Sequence, residues 1–227
     1  MTEGRHHDWL LLVLAFGALL LGALFVTVGA YVLGGMLAPL DQALREWTME
    51  GRSTWGIRLA TAVSFVGDKA PLAILCAIVG WLIIPGRRWW VLLLALCAVS
   101  AGLFVDWLKA TYAVIRPEGG LLTSESHSYP SGHASGTAAI ALFFAYAALR
   151  HHARARVVVP VAMVLTVLVG LSRVYLDEHW GSDVVGGWMV GTAIALAFAA
   201  AYEWVLRHQG VNAANRNEPS APGSTRS

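Results

Sequence analysis

The chain has 227 residues, of which 57% are hydrophobic and only 13% charged. A soluble domain carries about a quarter charged residues, so this composition excludes an ordinary soluble globular protein and points into the membrane. The formal net charge of +2 says less than where the charges fall, and no nucleic-acid partner is expected.

In chain order, the first apolar run extends from Trp9 to Leu40 with no charge before Asp41. A helix crosses a bilayer with roughly 20 apolar residues, about 17 at the least, so a span is predicted over 9–33. The run is too long for a cleaved signal peptide, although Val28, Gly29 and Ala30 resemble a small-residue cleavage site. Next, Leu40, Ala43, Leu44 and Trp47 recur at helical spacing among charged residues. That pattern predicts an amphipathic helical segment over 40–66 lying at the membrane interface, with Trp47 and Trp55 at headgroup level. A lid over a lipid entrance is the functional alternative for this segment.

Five further spans are predicted over 68–85, 89–108, 132–149, 156–174 and 184–206. The expected fold is an all-α integral membrane protein with six transmembrane helices, forming one domain over 1–207. From 208 to 227 the chain is rich in Asn, Ser, Pro and Gly and is expected to be a disordered polar tail. Cys76 and Cys97 fall inside apolar spans, where they read as small buried hydrophobes rather than a disulfide or metal pair.

Arg5, residues 86–88, residues 150–156 and Arg207 mark alternate span ends with basic charge. Lys and Arg mark the cytoplasmic side, so both termini are expected inside and segments 34–69 and 109–131 outside. The polar stretches Lys109–His133 and Arg173–Asp183 then share the outer face.

Ionisable residues at the mouths of spans suggest a functional site. In the last of these stretches, Asp183 follows His179 by four residues, one turn along a helix that runs on into the next span. A carboxylate there accepts a hydrogen bond from one ring nitrogen and leaves the other as nucleophile or base. Arg173 offers a fork of donors suited to phosphate. Ser131, Gly132 and His133 open another span, with Ser131 near an N-cap position. The backbone N–H groups of 131–134 are expected to face an anion there, with His133 placed to protonate a leaving oxygen. Lys109 and Arg116 add two cations, and Pro117 ends any helix. Taken one at a time, each of these segments is also compatible with a plain cap or with interfacial cations. No Cys/His cluster or carboxylate group with metal-ligand spacing accompanies them, so neither metal nor cofactor is expected.

KxxxxxxRP at 109–117, PSGH at 130–133 and SRxxxxxHxxxD at 172–183 resemble the three-part signature of the type 2 phosphatidic acid phosphatase superfamily. The resemblance implies His179 as a nucleophile that becomes phosphohistidine, Asp183 orienting it, and His133 as acid and then base. It also implies that Lys109, Arg116, Ser131, Gly132 and Arg173 bind the phosphate, and that the partner is a membrane lipid substrate. Undecaprenyl pyrophosphate is the favoured lipid, because three cations suit a diphosphate and phosphate leaves well. The alternatives are phosphatidylglycerophosphate or phosphatidic acid, then a soluble phosphate ester, then a transporter. A transporter would place its charges at mid-membrane rather than at span ends. The loop 118–129 is the expected place for headgroup recognition, although Glu118, Glu125 and His127 read more simply as solvated. The sequence does not fix the oligomeric state.

Overall fold

Charge-free runs surrounded by hydrocarbon must satisfy their own backbone hydrogen bonds, which a helix does within one segment. In the computed structural model, residues 2–84, 89–121 and 126–217 are described, and they form eight helices with no strand. These are α1 (Thr2–Leu33), α2 (Ala38–Glu50), α3 (Thr54–Val66), α4 (Lys69–Ile83), α5 (Trp89–Tyr112), α6 (Gly132–Arg150), α7 (Ala155–Tyr175) and α8 (Gly181–Asn217).

Among the described residues, α1, α5, α6, α7 and α8 are each long and apolar enough to cross a membrane. A sixth span is counted only if α3 and α4, bent by 63° at a short break, act as one. The expected second span over 68–85 is therefore a shorter helix than predicted. Its 15 residues extend about 22 Å, less than the roughly 30 Å hydrocarbon core. The break has local causes. Asp68 caps α4 by accepting the Lys69 N–H at 2.7 Å, and the Gly67 carbonyl accepts the Thr137 hydroxyl at 2.8 Å. A Cβ at Gly67 would lie 2.3 Å from Val169, so the chain approaches α7 too closely for any other residue.

Helix α6 is the axis of the bundle, packed against α4, α5, α7 and α8. Its buried face carries Ala134, Ala138, Ala139, Ala141, Ala145, Ala147 and Ala148. Small residues let helix backbones approach closely where lipid supplies no hydrophobic drive. At Gly191 of α8 an added Cβ would sit 2.2 Å from the Ser135 carbonyl oxygen. Around this axis Leu72, Trp90, Leu94, Cys97, Ile140, Phe143 and Phe144 form the core. Cys76 and Cys97 are both free and buried, as the sequence suggested. Large apolar side chains such as Leu12, Phe16, Leu103 and Val157 point outward, which suits a lipid solvent.

The far end of the bundle is pinned by a buried carboxylate. Glu203 accepts Arg150 Nε at 2.6 Å and the Tyr146 hydroxyl at 2.8 Å, joining α6 to α8. The tail differs from expectation: α8 continues through Asn217, so 208–217 is helical, while 218–227 lie outside the described residues. Residues 86–88 also lie outside them. Helices α2 and α3 occupy the segment read as amphipathic. Asp41 on α2 is buried and Trp47 is exposed.

Candidate active site

The residues singled out in the sequence collect at one end of the bundle, where α6 and α8 begin and α5 and α7 finish. Lys109 lies in the last turn of α5 and is buried. Its ammonium donates to the His127 carbonyl at 2.6 Å and lies 3.5 Å from Ser126 Oγ. Beyond α5 the chain extends, and the Ser128 N–H donates to the Val114 carbonyl at 2.8 Å, tying the two arms of the loop together. Arg116 projects from this extended arm. Its Nε and one terminal nitrogen donate to Ser126 O and Oγ at 2.7 and 3.0 Å. The other terminal nitrogen donates to the Glu178 carbonyl at 2.6 Å and lies 3.2 Å from His179 Nε2.

That last contact fixes the histidine tautomer by elimination. A guanidinium only donates, so Nε2 must present its lone pair and Nδ1 must carry the proton. His179 Nδ1 lies 3.2 Å from Asp183 Oδ2, one turn on along the chain. The same Oδ2 accepts the Trp180 N–H at 2.8 Å and the Ser128 hydroxyl. The carboxylate is thus held from three directions, and the imidazole is held by the carboxylate. Burial first, then the positive charges of Arg116, Lys109 and Arg173 and the neighbouring His133, push the His179 imidazole well below its usual range. The ring is therefore neutral at physiological pH, with an unprotonated nitrogen aimed at an arginine.

Arg173 ends α7 with its guanidinium buried. One terminal nitrogen donates to Ser64 Oγ of α3 at 2.6 Å, and the other lies 3.6 Å from Glu178 Oε2. Its Nε is buried with no hydrogen-bond partner among the described residues. An unpaired buried donor is costly, and an oxyanion bound between the cations would relieve that cost. Gly132 brings the α6 backbone close to Lys109, since a Cβ there would lie 3.8 Å from Lys109 Cε. His133 is half-buried, and it is near enough for the charges of Arg173, Lys109, Asp68 and Lys69 to act on it.

The row of free N–H groups expected at 131–134 is shorter than the sequence suggested. The Ser131 N–H donates to the Asp183 carbonyl at 2.9 Å, and Ser131 Oγ accepts the Ala134 N–H at 3.5 Å. Ser131 is fully buried, so it joins the α6 and α8 N-termini as well as capping α6.

Sequence reasoning missed four participants. Ser128 bonds Asp183, Ser64 anchors Arg173, Ser126 anchors Arg116, and Glu178 sits between the two arginines at 3.6 and 3.8 Å. Of the loop residues considered for the headgroup, His127 and Glu118 engage other residues through their carbonyls, accepting Lys109 and Arg45. Glu125 lies outside the described residues. Helix α2 braces the site from outside. Arg45 grips the buried Asp177 carboxylate at 2.7 and 2.9 Å, and Asp41 accepts the Ser182 N–H and hydroxyl at 2.8 and 2.6 Å. Among the described residues, no group of three or more His, Cys, Asp or Glu converges as a metal site would require.

A neutral imidazole held by a carboxylate and surrounded by three cations has the chemistry a phosphoryl group needs, and it stands at the end of a membrane bundle. The comparisons with known proteins agree. The model of the PAP2 superfamily matches residues 88–207. Phosphatidylglycerophosphatase B of Bacillus subtilis (strain 168) is 30% identical over 173 residues, which are 74% of this chain and 85% of that protein. The crystal structure of a transmembrane PAP2 type phosphatidylglycerolphosphate phosphatase from Bacillus subtilis aligns with a TM-score of 0.76 at 25% identity. That alignment covers 84% of this chain and 98% of the other. The chain belongs to the PAP2 superfamily. It is a phosphoric ester hydrolase of the membrane.

Proposed function

We propose that this enzyme dephosphorylates phosphatidylglycerophosphate through a phosphohistidine intermediate, without a metal. The observation that carries the mechanism is the His179 tautomer, with Nδ1–H directed at Asp183 and the Nε2 lone pair directed at Arg116. An incoming phosphate takes the Arg116 N–H groups in place of Nε2 and so meets the freed lone pair. Nε2 attacks phosphorus, the phosphorus–oxygen ester bond breaks, and His133 gives its proton to the departing alkoxide. His133 then takes a proton from water, which cleaves the phosphorus–nitrogen bond and releases orthophosphate. Lys109, Arg116, Arg173 and the backbone of Gly132 stabilise the equatorial oxygens as charge develops. Ser131 helps by fixing where that backbone lies.

The substrate differs from the one favoured by the sequence. Three cations argued for a diphosphate, but Glu178 stands against two of them and offsets part of that charge. The names of both relatives point to phosphatidylglycerophosphate instead. The placement of every signature residue at one end of the bundle, together with the basic span ends, supports a site on the outer face of the cell membrane with both termini inside. Comparison of kcat/KM for phosphatidylglycerophosphate, undecaprenyl pyrophosphate, phosphatidic acid and glucose 6-phosphate, in one detergent with EDTA, tests this reading. Phosphatidylglycerophosphate is expected to lead by about tenfold, a difference of about 1.4 kcal/mol in transition-state binding. Equal turnover of glucose 6-phosphate, or loss of activity in EDTA, contradicts it.

A further inference from the structure

The three segments that match the family leave position 178 open, yet the structure places a buried carboxylate there, next to His179. Glu178 Oε2 lies 3.6 Å from one terminal nitrogen of Arg173 and 3.8 Å from one of Arg116. A carboxylate between two guanidinium groups repeats the charge pattern of a phosphate bound between them. These distances are too long for hydrogen bonds, so the carboxylate acts on the arginines by charge and leaves their protons for another acceptor.

Two roles are open to such a group, and the anchors of the arginines decide between them. Arg173 is fixed by Ser64 Oγ at 2.6 Å. Arg116 is fixed by Ser126 and by the Glu178 backbone carbonyl at 2.6 Å, which any side chain at 178 would retain. Neither guanidinium needs the carboxylate to hold its place. What the carboxylate supplies is negative charge beside the phosphate site, in surroundings where burial makes charge count.

Resting on the phosphatase reading above, we infer that Glu178 is a built-in counter-anion that competes with phosphate for Arg116 and Arg173 and so speeds release of the orthophosphate product. A site holding Lys109, Arg116 and Arg173 without it would bind the dianion more tightly and free it more slowly. Uniformly tighter binding of ground state and product brings no gain in turnover, so a site tempered by a nearby carboxylate gives up only affinity that would have slowed product release. Glu178 acts through the arginines and does not touch the reacting atoms.

The test measures orthophosphate and orthovanadate binding to the full chain in detergent by isothermal titration calorimetry. The proteins compared are wild type, Glu178→Gln, Glu178→Asp and Glu178→Met. Removal of the charge in the Gln variant is expected to lower the orthophosphate Kd about tenfold, to lower KM and to lower kcat. Glu178→Asp, which keeps the charge, is expected to hold Kd within about threefold of wild type. Glu178→Met fills a similar volume without polar atoms and carries the same expectation as Gln if that variant is unstable. A purely structural role predicts the opposite sign, with weaker phosphate binding as the arginines lose their alignment. Unchanged or weaker phosphate binding in the charge-free variants overturns the inference and leaves the phosphatase reading standing. Absence of phosphate and vanadate binding in the wild type overturns both.

Discussion

Two buried glutamates, at opposite ends of the bundle, are each set against arginine, and they meet it at different distances. At the far end Glu203 meets Arg150 and Tyr146 at 2.6 and 2.8 Å, within hydrogen-bond range. At the site end, about 33 Å away along α8, Glu178 stands 3.6 and 3.8 Å from its two arginines, beyond that range. The short contacts are what a clamp between α6 and α8 requires, because a direct charge-assisted bond resists separation of the helices. The long contacts hold charge near charge while leaving N–H groups for a ligand. Arg173 Nε, buried with no hydrogen-bond partner among the described residues, marks the same contrast. Both ends are fastened, the site end by Arg45 on Asp177 and Asp41 on Ser182, but only the site end also keeps two arginines beyond hydrogen-bond range of their carboxylate.

Variants break this contrast in a graded way. The largest effect is expected at the relay. Asp183→Asn leaves the volume unchanged but offers an amide to His179 Nδ1, which favours the wrong tautomer. kcat is expected to fall by about 10³-fold, with the far-UV spectrum and melting temperature close to wild type. Steady-state kinetics alongside thermal unfolding check this, and a loss below about tenfold would separate Asp183 from the chemistry. The smallest effect on activity is expected at the far end. Glu203→Gln weakens the contact with Arg150 and should cost about 1–2 kcal/mol of stability, since Arg150 is partly exposed. Its kcat per folded molecule should match wild type. A marked fall in kcat with unchanged stability would show that the far end also governs the chemistry.

Much of the site was legible in the sequence because its chemistry requires residue types at local spacing. His179 and Asp183 lie one turn apart, and a single helical geometry brings them within 3.2 Å. Lys109, Arg116 and Arg173 stood out as charges at the ends of apolar runs. What stayed hidden depends on tertiary approach. Ser128 meets Asp183 across 55 positions, and Ser64 meets Arg173 across 109. No local pattern marks either serine. Glu178 was visible as a charge, but its place between two arginines depends on how α7 and the arm carrying Arg116 converge. The Ser131 N–H was counted as free because its acceptor, the Asp183 carbonyl, belongs to another helix. For the fold, apolar runs marked the long helices well. The break at Gly67 and Asp68 depends on packing against Thr137 and Val169, which hydropathy does not register. The tail composition suggested disorder from 208, whereas α8 propagates to Asn217 as a continuation of an established helix.

In the proposed mechanism the Nε2 lone pair of His179, now facing Arg116, attacks phosphorus. Rapid quenching of the enzyme with phosphatidylglycerophosphate labelled in its terminal phosphate, followed by peptide mapping at alkaline pH, tests it most directly. Acid-labile label is expected on the peptide containing His179, formed within the first turnover and absent in His179→Ala, whose turnover falls by at least about 10³-fold. Label on another residue, or near-normal turnover in His179→Ala, would contradict it.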